Sequence, residues 1–194
     1  MQSHYYRASP DMTPASIQLL AQYNAGMNQQ MYKAAAQLPH AELTADRKAF
    51  FGSILGTMNH LLVGDSIWLR RFAGHPAAYS TLAPLLEQPP VSGLAQSFGD
   101  DLAALQAHRS RLDAIILDWS QQVTAEHLAL AFAYKNIKGE TFCKHFGSLV
   151  LHFFNHQTHH RGQISTLLFQ AGVDVGVTDL PVWIPMMAEG STQA

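Results

Sequence analysis

A chain of 194 residues that is 47% hydrophobic and only 13% charged is too apolar for disorder and long enough to bury one sizeable core, so residues 1–194 are read as a single domain. Its formal net charge of −2, with 12 basic residues scattered among 14 acidic ones, argues against a nucleic-acid partner, and no apolar run approaches the roughly 20 residues of a bilayer span. One cysteine, Cys143, cannot form an internal disulfide, and the opening MQSHYYRASP lacks a basic-then-apolar signal, so a cytoplasmic protein is expected.

The first predicted helix is DMTPASIQLLAQYNAGMNQQMYKAAAQL, with Asp11 or Thr13 as N-cap, Pro14 in its first turn and an end before Pro39. Thr44 is the expected cap of the second, ADRKAFFGSILGTMNHLLVGDSIWLRRFAG, whose apolar pattern runs to Gly74 and Pro76. Residues 75–92 hold four of the nine prolines and read as a long connection without regular helix. The third helix starts at Ser92 or Ser97 and buries Leu102, Leu105, Leu112, Ile115, Ile116 and Trp119. HLALAFAYKNIKGETFC alternates about a Lys-Asn-Ile-Lys-Gly turn and predicts a two-stranded hairpin. The fourth helix runs from about Cys143 to Ala171 with Gly172 as its stop, and the tail VDVGVTDLPVWIPMM is apolar enough to pack back. The expected fold class is all-α, a four-helix bundle with a long second-to-third connection and a small hairpin before the last helix. Bundles build their sites from side chains that project inward from facing helices.

The last helix carries HFFNHQTHHRGQ, four histidines within nine residues. At about 100° per residue, His152 and His160 lie roughly 40° to either side of His156, and Leu149, Phe153, His159 and Gln163 share that face. Imidazoles on an apolar face are costly unless their ring nitrogens find partners, and a metal ion satisfies several at once. His156 and His160 at i, i+4 can reach one ion, although His152 and His156 form a second such pair and 11 histidines produce some pairs by chance. A third ligand must come from another helix. His60 is the candidate, with Gly56 and Gly64 one turn to either side; its competing role is a hydrogen-bonded core histidine. Asp65 faces a neighbouring helix or solvent, Cys143 reads as a small buried hydrophobe, and Tyr134 and Trp68 read as core or as pocket walls. His4, His40, His75, His108 and His127 read as surface.

FGSILGTMNHLLVGDSIWLRRFAG followed at a distance by FGSLVLHFFNHQTHHRGQISTLL resembles the DinB/YfiT-like superfamily, most sharply at His60 with Asp65 and Trp68 and at the NHQTHHRGQI block. The resemblance implies a four-helix bundle in which His60, His156 and His160 bind a divalent metal, nickel or zinc, with iron and manganese also open to imidazole ligands. It further implies a homodimer and a small-molecule substrate, with thiol transfer or isomerisation as the chemistry; a Lewis-acid ion on three neutral imidazoles would serve hydrolysis or thiol transfer, and the alternative is a non-catalytic metal-binding or stress-response dimer whose metal is structural. His152, His159 and Gln163 are expected around the ligands as supporting groups, with a fourth-ligand role for His152 and a dimer contact for His159 as the alternatives.

Overall fold

The computed structural model describes residues 12–186. Helix α1 (Pro14–Ala35) begins as its sequence predicts: Thr13 Oγ1 accepts the Ser16 amide at 3.1 Å, and Ser16 Oγ accepts the Thr13 amide at 3.0 Å. Asp11 and His4 lie outside the described residues.

The second long helix starts later than its apolar pattern suggests. His40–Thr44 form a separate short helix α2, and Thr44 is its last residue rather than a cap. Residues 45–53 make a turn with Lys48 at φ 56°, and α3 (Ile54–Phe72) starts at Ser53, whose hydroxyl accepts the Gly56 amide at 3.0 Å. The proline-rich connection contains one short helix, α4 (Pro84–Glu87). It is held by Arg70, which donates to the carbonyls of Leu85 and Gln88. Helix α5 (Leu102–Ser120) is capped by Asp101, not by Ser92 or Ser97: its carboxylate accepts the Ala104 amide at 2.8 Å.

A short helix α6 (Ala125–Leu128) leads into strands β1 (Ala131–Lys135) and β2 (Thr141–His145), paired antiparallel with Ala131 opposite His145. Cys143 lies on β2 and is exposed, which corrects its reading as a buried hydrophobe. Helix α7 (Phe146–Gln170) therefore begins three residues after it.

Helices α1 and α3 each pack against α5 and α7. Phe72 centres the core near the hairpin, stacked on Trp119 at 5.4 Å and edge-on to Phe146 and Phe153. His75, expected on the surface, is buried against Phe146, Phe132 and Tyr79; His108 and His127 are partly buried, and His40 is exposed. No helix among the described residues is long and apolar enough to cross a membrane.

The described tail packs on α1 and ends in a 3₁₀ turn, Leu180–Trp183. Gln30 donates to the carbonyls of Val175 and Val177, Tyr23 Oη donates to that of Thr178 at 2.7 Å, and the Trp183 ring lies where a Cβ on Gly26 would be. Gly26→Ala should therefore forfeit the usual helix-propensity gain and lower stability by about 1–3 kcal/mol. Urea unfolding followed by Trp183 emission reads this out, and an unchanged midpoint would mean that the tail leaves α1.

Candidate metal centre

His60 sits near the start of α3, and His156 and His160 sit one turn apart on α7. The fold brings the three together: one candidate ligand nitrogen from each lies within 4.8 Å of the others. Nε2 of His156 and Nε2 of His160 are 3.1 Å apart. Two nitrogens each roughly 2.1 Å from one ion stand roughly 3.0–3.4 Å apart at octahedral to tetrahedral angles. His60 Nδ1 is buried with no hydrogen-bond partner among the described residues. The donor set thus fits a divalent ion.

Glycine shapes this seam. A Cβ on Gly64 would come within 2.8 Å of His156 Cε1, so the absent methyl makes the seat for that ring. On the other side of His60, a Cβ on Gly56 would overlap the Phe51 carbonyl. That close approach sets the Phe51 ring 3.8 Å from His60 in a stacked pair and 5.5 Å from His160.

The imidazoles are held neutral. Burial, helped by the neighbouring His160, pushes the His60 pKa down to about 4. Burial and the surrounding histidines push His156 to about 3. Burial also lowers His160, partly opposed by Gln163. His160 Nδ1 donates to Gln163 Oε1 at 2.8 Å, which leaves the lone pair on Nε2, facing His156. The Gln163 amide in turn donates to His159 Nε2 at 3.3 Å. His159 thus meets the triad twice, through Gln163 and edge-on against the His160 ring at 4.8 Å. His152 is exposed and packs edge-on against Trp68 at 5.1 Å, outside the group of three.

Behind the triad lies a buried polar network that sequence reasoning did not assemble. Asp65 is wholly buried, accepting Arg109 Nη1 at 2.5 Å and Gln157 Nε2 at 2.9 Å, so it is not a solvent-facing residue. Arg109 also pairs with Asp113 at 3.0 Å, and Asp113 accepts the Asn28 and Asn24 amides. Arg161 is buried and donates to Asn24 Oδ1 and to Thr158 Oγ1, its guanidinium over the Tyr23 ring. All four long helices contribute. The available signal was spacing: Asp65, Arg109, Gln157 and Arg161 each sit among the buried positions of an amphipathic helix, where an unpaired polar group would be costly.

No carboxylate among the described residues joins the three histidines: Asp65 is tied to Arg109 and Gln157 through Oδ2 while its buried Oδ1 has no partner, Glu140 accepts from Asn136, and Asp101 caps α5. An open cleft of about 520 Å³ adjoins the centre, lined among others by Arg47, Phe50, Thr57, His159, Gly162 and Gln163.

The chain is 26% identical over 167 residues to Protein DinB of Bacillus subtilis (strain 168), a span covering 86% of this chain and 92% of that protein. No solved structure matches it significantly. The model of the DinB family matches residues 3–190, which takes in every helix described above, and on that match the chain belongs to the DinB family.

Proposed function

We propose that His60, His156 and His160 bind a divalent metal, nickel or zinc, and that the protein is a metal-dependent enzyme acting on a small-molecule thiol. The carrying observation is the convergence of three neutral imidazoles from two helices within 4.8 Å. The pairwise packing of α1 and α3 on α5 and α7 supports reading the long helices as a four-helix bundle, whose interior is where such sites are built.

A divalent ion held by three neutral imidazoles supplies a Lewis acid with room for a further ligand. The chain's own residues do the rest. Gln163 fixes the tautomer of His160 and also lines the neighbouring cleft, and Phe51 covers one face of His60. Gly162 lies along that cleft in mid-helix, where a methyl would meet nothing within 4 Å. Glycine there costs about 1 kcal/mol relative to alanine without a packing reason, which supports space kept for a ligand. With no carboxylate joining the three histidines, thiol transfer fits better than hydrolysis: a thiol bound at the ion would have its pKa lowered below the free value of about 8.5, so that its proton would pass to solvent water near neutral pH without a positioned acceptor. His152 packs on Trp68 rather than closing the triad, which favours an open site over a structural metal. A homodimer, implied by the family, completes the proposal and is read out by light scattering.

The test is metal content by elemental mass spectrometry on untagged protein purified without chelator. About one equivalent per chain is expected in the wild type and is kept in His152→Ala. A metal-free wild type that also refuses added nickel and zinc would refute the reading.

A further inference from the structure

The partners along the seam fix its direction. His60 faces His156 and His160, Gly64 faces His156, and Trp68 faces His152, so α3 and α7 run in opposite directions and each turn makes one rung. The rung beyond the triad differs in character from the others. Arg71 lies 4.6 Å over the Trp68 ring and 5.2 Å from the Tyr134 ring, while Trp68 and Tyr134 are 5.3 Å apart. Lys144 on β2 sits over Phe142, itself stacked on Tyr134. The ion pairs among the described residues engage Arg47, Lys48 and Arg109, and none engages Arg71 or Lys144. A guanidinium half-sunk between two aromatic faces with no carboxylate beside it is poorly compensated by water and strongly disposed to accept an anion. His152 joins this patch to the triad, its ring 6.0 Å from that of His156.

We propose that Arg71, Lys144 and the Trp68–Tyr134 wall form an anion subsite, which holds a carboxylate or phosphate of a small organic ligand whose other end reaches the histidine triad. Arg71 is a binding residue here, with its fork presented to the oxyanion and its plane fixed by the stack. The inference rests on the triad being the reacting end, but the anion contact itself requires no metal.

The test is a two-dimensional ¹H–¹⁵N NMR titration of the chelator-treated full chain with inorganic phosphate and, separately, with benzoate, at ionic strength fixed by sodium chloride. Saturable shifts of the Trp68 indole N–H and of the Lys144 and His152 amides are expected, and the anion that acts at lower concentration identifies the group. Arg71→Gln should weaken that binding by about tenfold or more. Lys144→Gln, at an exposed hairpin position that leaves the stack intact, should weaken it by about threefold. Absence of saturable shifts with both anions, or wild-type affinity in both variants, overturns the proposal. Shifts centred on His60 and His160 and lost in His156→Ala overturn it as well, by making the anion a ligand of the triad. Metal content measured alongside separates the two readings. Wild-type metal in Arg71→Gln with weakened anion binding supports the subsite, whereas anion shifts in a wild type that takes up no metal would remove the triad reading alone.

Discussion

Replacing His156 by alanine should leave the protein without bound metal while the fold survives. His156 lies against both other rings, 4.4 Å from that of His160 and 5.4 Å from that of His60, and it occupies the seat opposite Gly64. Its removal leaves two imidazoles where a working site needs three ligands, so the loss should exceed the roughly 10–100-fold in affinity that accompanies deletion of a hydrogen-bonding neighbour of a ligand. Gln163→Ala, which frees His160 Nδ1, should show that smaller loss. The half-buried position of His156 predicts only a modest change in melting temperature of the metal-free protein. Elemental analysis of both variants beside the wild type decides the matter, and a full equivalent of metal in His156→Ala would remove it from the ligand set. Acid supplies a second readout. With His60 at about 4 and His156 at about 3, both below the ordinary 6.5, the neutral forms persist as pH falls, and metal should be retained to about pH 5. The sign for the metal-free fold follows from the same shifts. The unfolded chain takes up protons below about 6.5 that the folded rings refuse, so stability is greatest above that pH and declines toward 3–4.

Asp65→Ala should be among the most damaging single substitutions, costing about 3–5 kcal/mol in urea unfolding followed by helical circular dichroism. Asp65 is wholly buried and Arg109 nearly so, and their 2.5 Å contact lies where water cannot replace either partner. Removing the carboxylate strands the guanidinium with Asp113 alone and leaves Gln157 without its acceptor. Asp65→Leu combined with Arg109→Met, which removes both charges and keeps apolar volume, should recover much of the loss. A cost below about 1 kcal/mol for Asp65→Ala would mean that the pair is not formed.

Periodicity and glycine made the histidine seam legible. The i, i+4 step of His156 and His160 and the small neighbours of His60 stood in the sequence, and the structure supplies the reason for the latter, since Gly64 makes room for a ring and Gly56 for a carbonyl. Element starts were less legible. Thr44 and Ser53 are equally good caps by type, and the turn through Lys48 and Gly52, both at positive φ, selects Ser53; Gly52 is the signal in the sequence. Ser97 and Asp101 posed the same choice before α5. Residue type misled most where partners lie far along the chain. His75 reads as surface, and Asp65 as facing either a neighbouring helix or solvent, because a lone polar residue carries no record of the guanidinium, amide or aromatic cage that will enclose it. Cys143 erred the other way, as an apolar type on an exposed strand.

The buried charges also act as a key. Apolar ridges on two helices tolerate sliding by a turn, because one leucine replaces another at little cost. A slip of α3 along α7 by one turn, about 5.4 Å, would carry Asp65 away from Gln157 and Arg109 together and leave each without its counterpart in a dry interior. The same slip would part His60 from His156 and set Trp68 where Gly64 now stands. The network thus admits one alignment of the helices, the one in which His60 meets two imidazoles about half the chain away.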